Sequence, residues 1–183
     1  MLVQSHASQT RSCGSHCTHS HGVTKSAPPV ENTPGNEPKD ELFSFNPQDR
    51  MTLETGTKLL PNIRWGSHGP ESDHVMLHHK IERGEGGHYV YADDDPRQNS
   101  ALAFSSSVSA VNAFLEVFEG DFKWAFKYDK LLVRPNTGKD FNANYRRESG
   151  TVNFYQELDP VRNVHVHSGA SGDIVAHEVG HAI

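Results

Sequence analysis

Cysteine is scarce in this chain of 183 residues: Cys13 and Cys17 are the two present, both in a polar front segment, so no disulfide can staple a core to itself. Long apolar runs are missing too. No stretch approaches the ~20 consecutive apolar residues that cross a bilayer, and residues 1–17 lack the apolar centre of a signal peptide. Positive charge is in deficit, with 17 Lys and Arg against 23 Asp and Glu. The net charge of -6 gives no electrostatic reason to expect nucleic acid or an anionic membrane as partner. Apolar residues make up only 34% of the chain and the mean hydropathy is -0.65, so part of the sequence is expected to stay out of any core. The expectation is a soluble acidic protein, with compartment and oligomeric state open.

What is present is unevenly distributed. The front is a succession of turn-forming and Pro-containing stretches, such as Ser26-Ala27-Pro28-Pro29 and Asn32-Thr33-Pro34-Gly35-Asn36-Glu37-Pro38, which reads as a disordered tail and linker over residues 1–68. Patterning begins at His74. Residues 74–81 alternate as a strand, residues 84–87 are a glycine-rich turn, and residues 88–92 are a second short strand, so a hairpin is expected. Residues 105–119 change to helical period, with Val108, Val111, Leu115 and Phe118 on one stripe, Ser106 or Ser107 as cap and Gly120 as stop. Residues 123–133 alternate Trp124, Phe126 and Tyr128 against Ala125, Lys127 and Asp129, the pattern of another strand. Residues 151–155 and 163–167 add two more, and a helix starting near Gly172 or Asp173 follows them. The plan is α+β.

The last helix carries chemistry. His177-Glu178-Val179-Gly180-His181 puts two imidazoles at i and i+4, on one helical face about 5–6 Å apart at Cβ, where both can reach one metal ion. Glu178 is one step round from His177. There it can take a proton from a metal-activated water that attacks a carbonyl carbon and hand that proton to a leaving amine. The flanking Ile174, Val175, Ala182 and Ile183 give apolar cover, and Asp173 suits a helix N-terminus. The residues point to Zn2+ on His177 and His181 with Glu178 as general base.

The Asp-x-Val-Ala-His-Glu-x-x-His-Ala stretch resembles the active-site helix of the thermolysin-like branch of the zincin metallopeptidases, the gluzincins. Asn142-Ala143-Asn144-Tyr145, followed by Gly150-Thr151-Val152-Asn153-Phe154-Tyr155, resembles the two strands that precede that helix. The resemblance implies a zincin-like N-terminal lobe over residues 69–183, with a twisted, mostly antiparallel sheet, a packed helix and the His-bearing helix. It implies Asn142 and Ala143 as substrate-binding residues on an edge strand, a peptide or protein substrate, and zinc as cofactor. Asn144 departs from the aromatic residue usual at that position. The family's third ligand, a Glu on a later helix, and its helical second lobe have no counterpart before Ile183. An incomplete and inactive catalytic domain is therefore expected, with Ile183 and its neighbours short of partners to bury them. The region that separates metzincins from gluzincins also lies past the motif.

Three further groups invite a metal. Cys13, His16, Cys17, His19 and His21 are dense in ligands but have no apolar nucleus around them, which favours a solvated tail. His165 and His167 share one side of a strand without an evident third ligand, and Asp93, Asp94 and Asp95 read as a solvated turn. The alternative to the peptidase is a non-catalytic module that binds peptide or metal.

Overall fold

The computed structural model describes residues 36–47, 55–120 and 122–183. Strands β1 (Lys39–Phe45), β2 (Gly56–Gly66), β3 (Gly69–Glu71) and β4 (Val75–Leu77) come first. They are followed by α1 (Gln98–Val117), β5 (Leu131–Arg134), β6 (Ala143–Arg146) and β7 (Thr151–Phe154). The hairpin strands β8 (Gln156–Asp159) and β9 (Val164–His167) lead through a 3-10 turn, Ser168–Ala170, into α2 (Gly172–Gly180). Seven strands form one sheet in the order β1-β2-β3-β4-β5-β7-β6, and β8 pairs with β9 alone. Only β4 with β5 and β5 with β7 are parallel, so the molecule is a mixed α+β structure with a mostly antiparallel sheet.

The expected tail up to residue 68 is corrected here, because β1 and β2 are paired strands of the main sheet. They were hard to see for a local reason. β2 contains Pro61, which cannot donate to a ladder, and Asn62, whose φ of 58° leaves the extended region. The register absorbs both in a bulge, stepping from Lys39 opposite Ile63 to Glu41 opposite Leu60. Residues 1–35, with the Cys13, His16, Cys17, His19 and His21 tract, lie outside the described residues.

Two other expectations change. Residues 88–92 do not form a hairpin with residues 74–81; Tyr89 instead bridges β1 at Phe43, donating N–H to Leu42 O and receiving Ser44 N–H. The 84–87 turn itself is present, closed by Gly87 N–H to Gly84 O. Residues 122–130 are irregular rather than a strand, and the ladder begins only at Leu131.

α1 starts at Gln98, well before the expected Ser105, with Arg97 rather than a serine at its N-cap. Its serines are inside the helix, where Ser107 and Ser109 donate to carbonyls one turn back and Ser105 donates to Ser44 O on β1. By length and composition α1 could cross a membrane. Its first half is instead buried, with Phe104 against Phe43 at 5.2 Å between ring centres, as in the central helix of a packed domain. Gly120, at φ 81°, closes the end by donating to Leu115 O. The core joins Phe43, Leu60, Val133 and Phe154 of the sheet to Phe104 and Val108 of α1. It also takes in Val175, Val179 and Ala182, while Ile183 packs at its margin. Ala182 and Ile183 therefore have the apolar partners that the expectation denied them.

Candidate metal centre

α2 exists because its apolar positions Val175 and Val179, followed by Ala182 just past its end, recur at helical spacing and are fully buried. Its first turn fits under the end of β1 only with glycine: a Cβ on Gly172 would lie 2.6 Å from Asn46 O and 2.8 Å from Pro47 O. Asp173 occupies the first turn, where the helix dipole favours a negative charge.

The opposite face is exposed and carries both histidines. Their Nε2 atoms are 3.1 Å apart and the rings are nearly perpendicular, at 88°. As a metal-free pair they suit one hydrogen bond, with one ring donating to the other. Tetrahedral ligands at ~2.0–2.1 Å from one zinc have nitrogens about 3.3–3.4 Å apart, close to this separation, and sharing an ion would replace the hydrogen bond and turn both lone pairs toward one point. Imidazole nitrogen is a donor type that zinc accepts. Among the described residues, however, no group of three or more His, Cys, Asp or Glu side chains comes together to hold a metal ion.

Glu178 lies between the two faces of the helix, 9% exposed, and no hydrogen bond or ion pair to its carboxylate occurs among the described residues. It opens on a cleft of ≈ 490 Å³, lined on the helix side by Ile174, His177 and Glu178 and on the other by Phe141, Asn142 and Ala143. Four of the five candidate site residues, His177, Glu178, Asn142 and Ala143, thus line one cleft; His181 faces His177 beside it. Asn142 folds its side chain back to accept from Ala143 N–H at 2.8 Å.

β6 is an edge. It pairs antiparallel with β7, Ala143 opposite Phe154 and Asn144 opposite Asn153, and no strand lies beyond it among the described residues. The departure at Asn144 has a physical reason: its side chain accepts from Asn153 Nδ2 at 2.9 Å and donates to Tyr155 Oη at 3.0 Å. An aromatic ring there would leave the buried Asn153 amide without that acceptor.

No family model, curated protein or solved structure matches the chain. The site has to be read from its own geometry.

Sequence reasoning missed Phe141, an exposed ring at the mouth of the cleft, and Ser168 and Ser171, which floor it. An apolar residue of that size between Asp140 and Asn142 was the available signal. His165 and His167 line a second cleft of ≈ 760 Å³ with Asp93, Asp94 and Asp95, and His167 borders both clefts. Those acids are partly committed. Asp95 is held below the ordinary carboxylate value by hydrogen bonds from Arg97, and Asp93 accepts from Thr55 at 3.4 Å.

Proposed function

We propose that this protein is a zinc-dependent peptidase of the gluzincin kind, acting on extended peptide or protein substrates. One observation carries the reading: His177, whose Nε2 lies 3.1 Å from that of His181, lines a cleft together with Glu178, and the far wall of that cleft starts an open sheet edge. His177 and His181 would hold the metal, and a further ligand has to come from outside the described residues. Zinc, when bound, supplies the Lewis acidity that makes water a nucleophile and a scissile carbonyl an electrophile at neutral pH.

The rest is the work of the chain. The Glu178 carboxylate, uncommitted to other side chains, takes the proton of the attacking water and delivers it to the leaving nitrogen. Once the Asn142 side chain releases the Ala143 N–H, the backbone at Asn142 and Ala143 pairs with the substrate main chain as an added strand, which orients the peptide whatever its side chains. Phe141 and Ile174 give the cleft apolar surface against which substrate side chains can pack. Glu178→Gln is expected to keep zinc and to lose about 10²–10⁴-fold in peptide hydrolysis. Unchanged hydrolysis would reject the role.

The lack of a third ligand among the described residues favours a second reading, a non-catalytic module that uses the edge to hold a peptide. It separates from the first by the same assay: peptide binding without cleavage, and no effect of Glu178→Gln.

A further inference from the structure

His181 directly follows Gly180, the last residue of α2. Here the end is fastened. The neighbouring Ala182 is fully buried, and its carbonyl accepts a hydrogen bond from Ala125 N–H at 2.8 Å. The carbonyl of the same Ala125 accepts from Arg147 Nε at 2.6 Å, and Arg147 follows directly on β6. A single peptide-bearing residue therefore ties the end of the histidine helix to the end of the open edge strand.

The irregular segment that carries Ala125 has its own anchors. Phe126 packs over Gly150 in the β6–β7 turn so closely that a Cβ there would lie 2.7 Å from its ring, and its centroid is 6.4 Å from Tyr145 of β6. Trp124 stacks on Phe126 at 4.9 Å and donates Nε1–H to Asp129 O. The alternating aromatics that suggested a strand thus serve a different end. The Ala125 N–H and C=O groups are taken by Ala182 and Arg147, so they are withheld from any sheet ladder.

We infer that Ala125, gripped by Arg147 and seated by Phe126, is a positioning bracket for His181, setting that ring opposite His177 and fixing the histidine helix to β6. The inference deepens the proposed zinc site, and only its zinc readout rests on that reading. The ring geometry and the Ala125 bond stand without metal.

The test uses the full chain. Arg147→Met keeps the exposed aliphatic stem and removes the donors, so the fold should persist; Arg147→Lys restores one donor. In metal-free protein, Arg147→Met is expected to speed amide exchange at Ala125 and to shift the His181 ring resonances in NMR spectra. Added Zn2+ should bind about two- to tenfold more weakly, the loss that one hydrogen bond supports. The melting temperature should hardly change, and Arg147→Lys should recover most of the difference. Phe126→Leu, which loosens the seat while keeping apolar volume, should reproduce the same His181 shifts. Unaltered Ala125 exchange and His181 resonances in both Arg147→Met and Phe126→Leu would overturn the bracket. A His177→Ala control that binds Zn2+ like the parent would reject the zinc reading alone, leaving the metal-free readouts to decide the inference.

Discussion

The two edges of the seven-stranded sheet are treated in opposite ways. At the β1 edge the Tyr89 segment lies alongside Phe43 and makes backbone hydrogen bonds to Leu42 and Ser44 on either side of it, while the Tyr89 ring stacks on Phe43 at 4.6 Å. Arg83 then reaches over to Glu41, a carboxylate only 2% exposed, which Lys39 also contacts. At the β6 edge no strand follows among the described residues, and the histidine helix stands beside it instead. Open edges invite unwanted pairing, and folds ordinarily cover them. One edge is closed and the other stands beside a cleft; in the proposed function the first serves stability and the second binding.

Breaking the closed edge should produce the largest effect. Phe43→Ala removes contacts with both Tyr89 and Phe104 and is expected to cost about 3–5 kcal/mol in denaturant unfolding. Zinc binding by the remaining folded protein should be unaffected. Loss of zinc affinity in proportion to stability would show that the two ends are not separable.

The ion pair at the same edge sharpens the contrast through pH. Burial pushes the Glu41 carboxyl up, but the hydrogen bonds and charges of Arg83 and Lys39 outweigh it and leave the group below its ordinary value. A carboxyl lowered by folding stabilises the native state above its unfolded pKa, and that contribution disappears as pH falls through the lowered one. Stability should therefore decline on acidification from about pH 5. Glu41→Gln should flatten that part of the curve, as followed by urea midpoints at stepped pH.

The smallest stability effect belongs to the open edge. Phe141 is 63% exposed, so Phe141→Ala should change unfolding by no more than about 0.5 kcal/mol. Peptide binding should weaken by several-fold in a fluorescence titration. An unaltered affinity would remove Phe141 from the proposed cleft wall.

How much of this was legible in the sequence follows the locality of the signals. α2, β7 and β9 could be read because their periodicity is unbroken over a few residues, and the His177, Glu178 and His181 spacing is itself local. The edge position of β6 came from resemblance, since nothing in Asn142-Ala143-Asn144 says which strands flank it. β1 and β2 were hidden by Pro61 and Asn62, whose bulge only makes sense once both strands are paired. Residues 122–130 misled in the other direction. Their alternation is real, yet Trp124 stacks on Phe126 and Phe126 tilts against Tyr145, so the rings do not mark the two faces of a ladder. The start of α1 was missed because Gln98, Asn99 and Ser100 resemble a turn in isolation, and burial under the sheet overrides that preference.

The central claim is that two imidazoles on the exposed face of α2 share one divalent cation. Its most direct measurement is calorimetric titration of Zn2+ into the full chain, with His177→Ala, His181→Ala and a deletion of residues 1–21 run in parallel. One equivalent of zinc lost in each histidine variant, and kept in the deletion, is the expected result. Zinc binding that survives both histidine substitutions and vanishes with residues 1–21 would contradict it.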